Sequence, residues 1–370
     1  MQAAVVVTSS CAVCLCGEIR RDGSYAILSE ATVPYPGLRR GRPVSSFGLQ
    51  TAISEVIDIA QENTKGRIKQ IYVGVPGAFC RLSINHPIAV SPNDAGEYAP
   101  PEQHEYMSDE ADLIHRLSCP ASGEAKMGRR MMVSIMADKA YVAEINDALK
   151  HKGMRQTSLI SQNYVEGLFL IPRVERDKVA VLLDIGYYNA DVCVFHGDAQ
   201  IYGETLYVGG AHVVSDLAQV LDIDRNYAEQ LKKQFAFGIQ YEPDAQDFVR
   251  LDSGKLRGFD HNMVDEIVRS RLDETCVLIR QALEDSGIAF SQAPRAYLTG
   301  DGLADVRGIR EYLSSQIGFR FEALPLHMSD GATRYHTAAL AMMEYIAHND
   351  TEGPPRKSQG INLGKIFGRK

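Results

Sequence analysis

The segment from residue 179 to 184 limits most strongly what this chain can fold into. It reads Val-Ala-Val-Leu-Leu-Asp, a nearly continuous apolar run that ends in an acid. Such runs are typical of strands buried on both faces of a sheet. Further strand patterns and a helix that opens at Gly209-Gly210 follow it, and the N-terminal segment shows the same order of strands and then helix. The sequence therefore predicts an α/β protein with two lobes of similar topology.

Length and composition agree with two lobes and exclude some partners. Single hydrophobic cores stop growing near about 250–300 residues, and this chain has 370. A formal net charge of −8 disfavours nucleic acid as a partner. No apolar stretch of about 18 residues is uninterrupted, so we expect no membrane-spanning helix.

Three of the seven cysteines stand together, at Cys11, Cys14 and Cys16. Their Cys-x-x-Cys spacing occurs in zinc and redox sites. No histidine or second cysteine pair lies near in sequence to complete a zinc set, so we expect no metal site and interpret the segment as apolar strands around a turn. An odd cysteine count without a secretory signal indicates reduced thiols in the cytoplasm.

The end of the apolar run carries the first candidate site. Asp184-Ile185-Gly186 places an acid where it can hold Mg²⁺ through water, and a glycine where backbone amides can approach a phosphate. Asp191 follows five residues later, so a tight hairpin would direct both ends of the turn toward one cleft. An ordinary hairpin without a ligand is the alternative at this point.

Four landmarks, in order, resemble those of the actin-like ATPase superfamily and, within it, the cell-division protein FtsA. They are a phosphate turn at Asp184–Asp191, a helix start at Gly209-Gly210, the phrase Ala-Glu-x-x-Lys at 228–232 and an adenine turn at Leu298–Gly302. The phrase Gly-Leu-Arg-Arg-Gly at 37–41 and the unit at 138–153 are nearer to FtsA than to other actin-like proteins. The resemblance implies an actin-like two-lobed fold with duplicated sheet and helix subdomains and a small FtsA-type inserted α+β module.

The resemblance also implies ATP with Mg²⁺ as the cofactor. The nucleotide-binding residues it implies are Ser9, Ser10, Asp184, Gly186, Asn189, Asp191, Gly210, Glu229, Lys232, Gly300, Asp301 and Gly302.

The phosphate motifs depart from the family pattern. In the first turn the family's acid, glycine, threonine and lysine align with Val6, Thr8, Ser9 and Cys11, and in the second Tyr187-Tyr188-Asn189 replaces Gly-Gly-Thr. These changes remove charge neutralisation and Mg²⁺ positioning, so we expect no catalytic residues and at most a slow ATPase. Two interpretations stay open: a retained nucleotide, or a cleft filled by one of the two tyrosines.

The resemblance divides the chain into subdomains. The first lobe is assigned to residues 1–83 and 155–175, the inserted module to 84–154, the second lobe to 176–221 and 291–348, its helical subdomain to 222–290, a linker to 349–359 and a basic amphipathic tail to 360–370.

The tail resembles the membrane-targeting tail of FtsA. Its candidate membrane-binding residues are Ile361, Leu363, Lys365, Ile366, Phe367, Arg369 and Lys370. On a helix, Leu363, Ile366 and Phe367 share one arc. Their burial gives about 4–6 kcal/mol, which the ordering of the backbone largely offsets, so one tail binds anionic lipid marginally. A frayed basic end is the alternative.

The resemblance predicts a scaffold of bacterial cell division. Such a protein self-associates into oligomers or filaments, lies in the cytoplasm on the inner face of the cell membrane, and tethers a tubulin-like FtsZ partner that docks on about residues 222–290. One alternative is a pilus-assembly scaffold, which shares the fold and captures a cytoplasmic peptide of a membrane protein. Another is an active kinase or ATPase, which would need the first-turn acid and glycines.

Overall fold

The computed structural model describes residues 1–20, 24–89, 110–120, 129–156, 158–288, 295–323 and 336–350. The chain separates into two compact units. Unit 1 comprises residues 1–179, 193–203 and 325–370, and unit 2 comprises residues 180–192 and 204–324. Both contain helices and strands, which confirms the predicted α/β class.

The elements follow the predicted order of strands and then helix in each half of the chain. Up to residue 176 they are β1 Gln2–Val7, β2 Cys11–Ile19, β3 Tyr25–Pro34, β4 Leu38–Arg39, β5 Arg42–Pro43, α1 Ser46–Thr64, β6 Gln70–Val75, a 3₁₀ turn at Gly77–Phe79, β7 Cys80–Ala89, β8 Ala111–Pro120, β9 Arg129–Asp138, α2 Lys139–His151, β10 Ser158–Ser161, α3 Gln162–Leu170 and α4 Arg173–Arg176. Beyond it they are β11 Ala180–Ile185, β12 Ala190–His196, β13 Ala199–Leu206, α5 Gly210–Val220, α6 Arg225–Gln234, β14 Gln246–Arg250, β15 Leu256–Asp260, α7 His261–Asp285, β16 Arg295–Thr299, α8 Ile309–Ile317, β17 Phe321–Ala323 and α9 Thr337–Asp350.

The centre of unit 1 is a five-stranded sheet in the order β10-β6-β1-β2-β3. β1 pairs antiparallel with β2 and parallel with β6, and residues 3–7 are fully buried. Helix α1 packs on β2 and β3 through apolar side chains at helical spacing, including Ile53 and Val56. Ser45 caps α1, because its hydroxyl oxygen accepts a hydrogen bond from the Gly48 amide at 3.0 Å.

A smaller sheet in the order β7-β9-β8 and helix α2 lie in and around the segment 84–154 that was predicted as the inserted module. Asp138 ends β9 and caps α2, since its carboxylate accepts from the amides of Ala140 and Tyr141 at 2.8 and 3.1 Å. The predicted inward side chains of α2, such as Ile145 and Leu149, are buried. The predicted strand and helix are therefore confirmed, whereas the outer boundaries of the module remain a prediction.

The strands β11, β16 and β17 of unit 2 belong to a five-stranded sheet in the order β13-β12-β11-β16-β17. β11 carries the apolar run; Leu182 and Leu183 are at most 1% exposed, as expected for a strand covered on both faces. β11, β16 and β17 run parallel. Helix α5 packs on both α6 and α7. Within the described ranges, every helix is too short or too polar to span a bilayer.

The closing helix α9 belongs to unit 1, whereas the predicted division assigned it to the second lobe at 291–348. The structure groups residues from 325 onward with unit 1, and α9 packs on α3, β1, β2 and β6. Residues 338–343 of α9 are all buried. A helix that is apolar on nearly every side must be covered on nearly every side, and in unit 1 a sheet and a second helix provide that cover.

Arg176 is a buried cation at the end of α4 and is 2% exposed. Its Nε donates to the carbonyl oxygen of Ile171 at 3.1 Å, and its Nη1 donates to the carbonyl oxygen of Gly197 and to Asp198 Oδ1 at 2.8 and 2.7 Å. A buried charge is tolerated only when it is paired and hydrogen-bonded. Arg176 therefore ties the segment at 197–198 into unit 1.

We expect Arg176→Met to lower the free energy of unfolding by about 3 kcal/mol, because it leaves a nearly buried carboxylate and two carbonyl oxygens without their donor. Urea denaturation followed by circular dichroism measures the change. Arg81→Met is the matched control, since Arg81 pairs with Glu110 on the surface and should cost less than about 0.5 kcal/mol. Equal losses in both variants would contradict the prediction.

His115 on β8 is buried as a neutral ring. Its Nε2 accepts a hydrogen bond from the Ser161 amide at 3.0 Å, and its ring lies 4.8 Å from that of Tyr164. Burial lowers the pKa of His115 to about 3. Below about pH 6.5 the unfolded chain takes up a proton that the folded chain excludes, so stability is lost as the pH falls.

We expect His115→Gln, which keeps an acceptor for the Ser161 amide but cannot titrate, to reduce the stability lost between pH 7 and pH 5 by about 2 kcal/mol. Urea denaturation of both proteins at several pH values measures this difference. Parallel pH profiles would show that the buried ring does not contribute to the pH dependence.

Candidate functional site

Two parallel strands of unit 2 bring the predicted phosphate turn and adenine turn together. β11 and β16 are adjacent and in register at Asp184 and Thr299, so the turns that follow them lie at the same edge of the sheet. The Gly302 amide donates to the Ile185 carbonyl oxygen at 2.9 Å. A Cβ on Gly302 would overlap the carbonyl oxygen of Gly186. The backbones of the two turns are therefore in direct contact, and only glycine fits at position 302.

Helix α5 starts against the same two turns. The Gly210 amide donates to the Gly186 carbonyl oxygen at 3.1 Å, and the Ala211 amide donates to the Tyr187 carbonyl oxygen at 2.7 Å. A Cβ on Gly210 would overlap the carbonyl oxygen of Gly302. The first amides of a helix lack partners within the helix and often bind anions. Here the phosphate turn itself takes two of them.

His212 completes the start of α5, a role that the sequence did not predict. Its Nδ1 accepts a hydrogen bond from the Gly209 amide at 3.1 Å, so it occupies the place that Glu or Gln has in a capping box. A ring nitrogen must be unprotonated to accept, and burial lowers the pKa of His212. No sequence signal marks this role, because histidine at the third helical position is not part of the usual pattern.

Lys232 on α6 is the buried cation of the site and is 2% exposed. Its Nζ donates to the Gly302 carbonyl oxygen at 3.0 Å and lies 2.9 Å from Glu229 Oε1. The other carboxylate oxygen of Glu229 accepts from the Tyr187 hydroxyl at 3.5 Å. Lys232 Nζ lies 5.5 Å from the centre of the Tyr187 ring. The predicted pair Glu229 and Lys232 therefore meets, with Tyr187 as a third member.

The predicted acids have partners of their own within unit 2. Asp184 is the penultimate residue of β11 and lies beside Gly300. The φ of 95° at Gly300 favours glycine, and an added Cβ there would overlap Asp184 Oδ1. Asp191 accepts a hydrogen bond from the Thr205 hydroxyl. Asn189 is buried. Its backbone carbonyl oxygen accepts from the Gly186 amide at 2.9 Å, and this bond closes the predicted tight hairpin.

The predicted first phosphate turn lies in unit 1, between β1 and β2. Thr8 organises it, because its hydroxyl oxygen accepts from the amides of Ser10 and Cys11 at 3.1 and 3.0 Å. The Tyr35 hydroxyl donates to the Thr8 carbonyl oxygen at 2.7 Å, and Ser9 is buried. Two amides of the kind that a phosphate would need are thus bonded inside the turn.

Several of the groups that would hold an adenine nucleotide with Mg²⁺ are already bonded within unit 2. The amides of Gly210, Ala211 and Gly302 are bonded to carbonyl oxygens, and Glu229 matches the charge of Lys232. The exposed Asp301 adds negative charge at the adenine turn. Within the part of the chain that the structure describes, no group of three or more His, Cys, Asp and Glu side chains could hold a metal ion. The turns form a junction whose polar groups largely satisfy one another.

The candidate membrane-binding residues lie outside the described residues. They are Ile361, Leu363, Lys365, Ile366, Phe367, Arg369 and Lys370.

We expect Gly302→Ala to lower the free energy of unfolding by about 2–3 kcal/mol, because the added methyl group must push apart backbone segments that cannot move independently. Thermal unfolding followed by circular dichroism measures the shift. Gly66→Ala is the control, since its Cβ would lie 3.6 Å from the nearest atom and should change stability by less than about 0.5 kcal/mol. An unchanged melting temperature for Gly302→Ala would contradict the close packing.

Comparison with known proteins agrees with these landmarks. The family model described as cell division protein FtsA matches residues 181–344. The cell division protein FtsA of Pseudomonas aeruginosa is 23% identical over 326 residues, which are 82% of this chain and 78% of that protein. Several other FtsA proteins match over about half of their length.

Solved structures of low sequence identity share the fold. A PilM–PilN type IV pilus biogenesis complex gives a TM-score of 0.65 at 17% identity, covering 94% of this chain and 96% of that one. MreB 5 of Spiroplasma citri bound to AMPPNP gives 0.55 at 10% identity, with coverage of 94% and 96%. Together with the FtsA matches, these likenesses show that the chain is similar to FtsA in sequence and has the fold of the actin-like ATPases.

Proposed function

We propose that this protein is an FtsA-like scaffold of bacterial cell division that self-associates and tethers an FtsZ-like partner to the inner face of the cell membrane. The observation that carries the proposal is the sequence match to FtsA over most of the Pseudomonas aeruginosa protein, together with the FtsA family model over residues 181–344. Scaffolding of this kind needs stable surfaces rather than a fast chemical step.

The chemistry of the turns supports a scaffold with weak or absent ATP hydrolysis. Phosphoryl transfer depends on positioned cations and amide donors around the developing charge. The first turn offers Val6 and Cys11 in place of an acid and a lysine. In unit 2, two amides at the start of α5 and the buried Lys232 are bonded within the protein. We therefore propose a pseudo-ATPase whose fold is kept for its surfaces.

The helical subdomain at 222–290 is the proposed docking region for the partner. Its hairpin β14–β15 turns Val249 and Phe259 inward, while Phe248 and Leu256 are 47% and 62% exposed on the other face. Exposed apolar side chains that lie together are typical of interaction surfaces.

Membrane attachment through residues 360–370 would be weak for one copy and firm for an assembly. The loss of backbone entropy on ordering the tail partly offsets the predicted gain of about 4–6 kcal/mol from burying three apolar side chains. Cations add about 1 kcal/mol each near anionic lipid. Several tails on one oligomer multiply the effect through a high effective concentration. Self-association and peripheral membrane binding at the division septum therefore belong together in this proposal.

A pilus-assembly scaffold that binds a cytoplasmic peptide of a membrane protein is the second candidate. The fold likeness to the PilM–PilN complex, which covers nearly all of both chains, favours keeping it. It needs no lipid-binding tail, so the tail discriminates between the two proposals.

Co-sedimentation with anionic vesicles tests the leading proposal. We expect the full chain to pellet with the vesicles and a chain truncated after Gln359 to lose most of this binding, with ATP making no difference to either. Neutral vesicles are the control for the charge contribution. Equal pelleting of both chains would contradict the tail's role and favour the peptide-binding scaffold.

A further inference from the structure

The residue Tyr187 is held at both its backbone and its hydroxyl. Its carbonyl oxygen accepts from the Ala211 amide at 2.7 Å, and its hydroxyl donates to Glu229 at 3.5 Å. The nearby Arg225 partly offsets the rise in the pKa of Tyr187 that burial causes. The side chain is therefore directed at α6, which carries both Glu229 and Lys232.

The tyrosine ring offers this pair the same kinds of group that a nucleoside offers. A ribose presents hydroxyls to a carboxylate, and a purine presents a π-face to a cation. Lys232 Nζ lies 5.5 Å from the centre of the Tyr187 ring, within the range of about 6 Å for a cation–π contact. The Tyr188 ring packs edge-on against Tyr187, with ring centres 4.9 Å apart, an arrangement that stabilises aromatic pairs.

The charges are also balanced without a ligand. Lys232 is nearly inaccessible, and its ammonium group is shared between Glu229 and the Gly302 carbonyl oxygen. A phosphate that approached this point would meet a cation already neutralised. It would also meet the carboxylate of Glu229, which repels it.

We infer that Tyr187 is an intramolecular substitute for a nucleoside, which engages the pair Glu229 and Lys232 and joins the phosphate turn to α6 without an adenine nucleotide. The inference rests on the proposed pseudo-ATPase and on the resemblance that assigns this pair to a nucleoside. A free nucleotide must displace the ring and break its contacts before it binds. The substitution of glycine by tyrosine in the second turn is thus the change that closes the site.

Titration with a fluorescent ADP, without lipid or partner, tests the inference. We expect no saturable binding to the unaltered chain and a gain of at least about tenfold in affinity for Tyr187→Gly, because the ring is removed and the pair becomes free. Tyr187→Phe keeps the ring and should bind no better than the unaltered chain. Tyr188→Gly is the matched control and should also show no gain.

Saturable binding by the unaltered chain would overturn the inference. So would a Tyr187→Gly variant that has the circular dichroism spectrum of the unaltered chain and still does not bind. A second readout uses the absence of tryptophan from the sequence. Tyr187→Trp introduces a single reporter at the site, and we expect ADP to leave its emission unchanged. Saturable quenching by ADP would mean that a nucleotide reaches the pair while a ring is present.

These titrations can fail or succeed independently of the vesicle experiment. If truncation abolishes vesicle binding but the unaltered chain binds nucleotide, the scaffold proposal stands and the nucleoside substitute is rejected. If truncation leaves vesicle binding unchanged and only Tyr187→Gly binds nucleotide, the substitute stands and the membrane tether is rejected.

Discussion

Close packing of backbone on backbone at Gly186, Gly210 and Gly302 is the constraint on which unit 2 depends. The three glycines come from segments far apart in sequence, and no side chain separates them. The Gly210 amide donates to the Gly186 carbonyl oxygen, and the Gly302 amide donates to that of Ile185. Lys232 adds a fourth segment by donating to the Gly302 carbonyl oxygen. Two strands and two helices are thus fixed at one point, because any methyl group there would force several backbones apart.

This junction also limits what the protein can do chemically. Nucleotide chemistry needs amide donors and cations that stay available for a ligand. In this chain much of that capacity stabilises the fold itself: the phosphate turn caps α5, and Glu229 and Tyr187 engage Lys232. Such a junction suits a protein that offers partners a rigid surface better than it suits an enzyme that turns over ATP. The proposed scaffold role therefore agrees with the departures in the phosphate motifs.

Several features followed directly from local sequence patterns. The apolar run at 179–184 predicted a covered strand, and the pattern after Gly209-Gly210 predicted α5. The position of α9 did not follow, because apolarity shows that a helix is buried but not which sheet covers it. His212 was missed for a related reason, since its role depends on an amide that faces it only after α5 has formed.

The sequence by itself determined the elements, the order of the landmarks and the departures from the family's phosphate motifs. These are properties of spacing and residue type, which act over a few neighbours. Only the tertiary structure decided that Tyr187 meets Glu229 and Lys232, and that backbone amides at the turns are already bonded. Such contacts join segments from 24 to more than 100 residues apart. Their geometry depends on how parallel strands and helices pack, which no local pattern encodes.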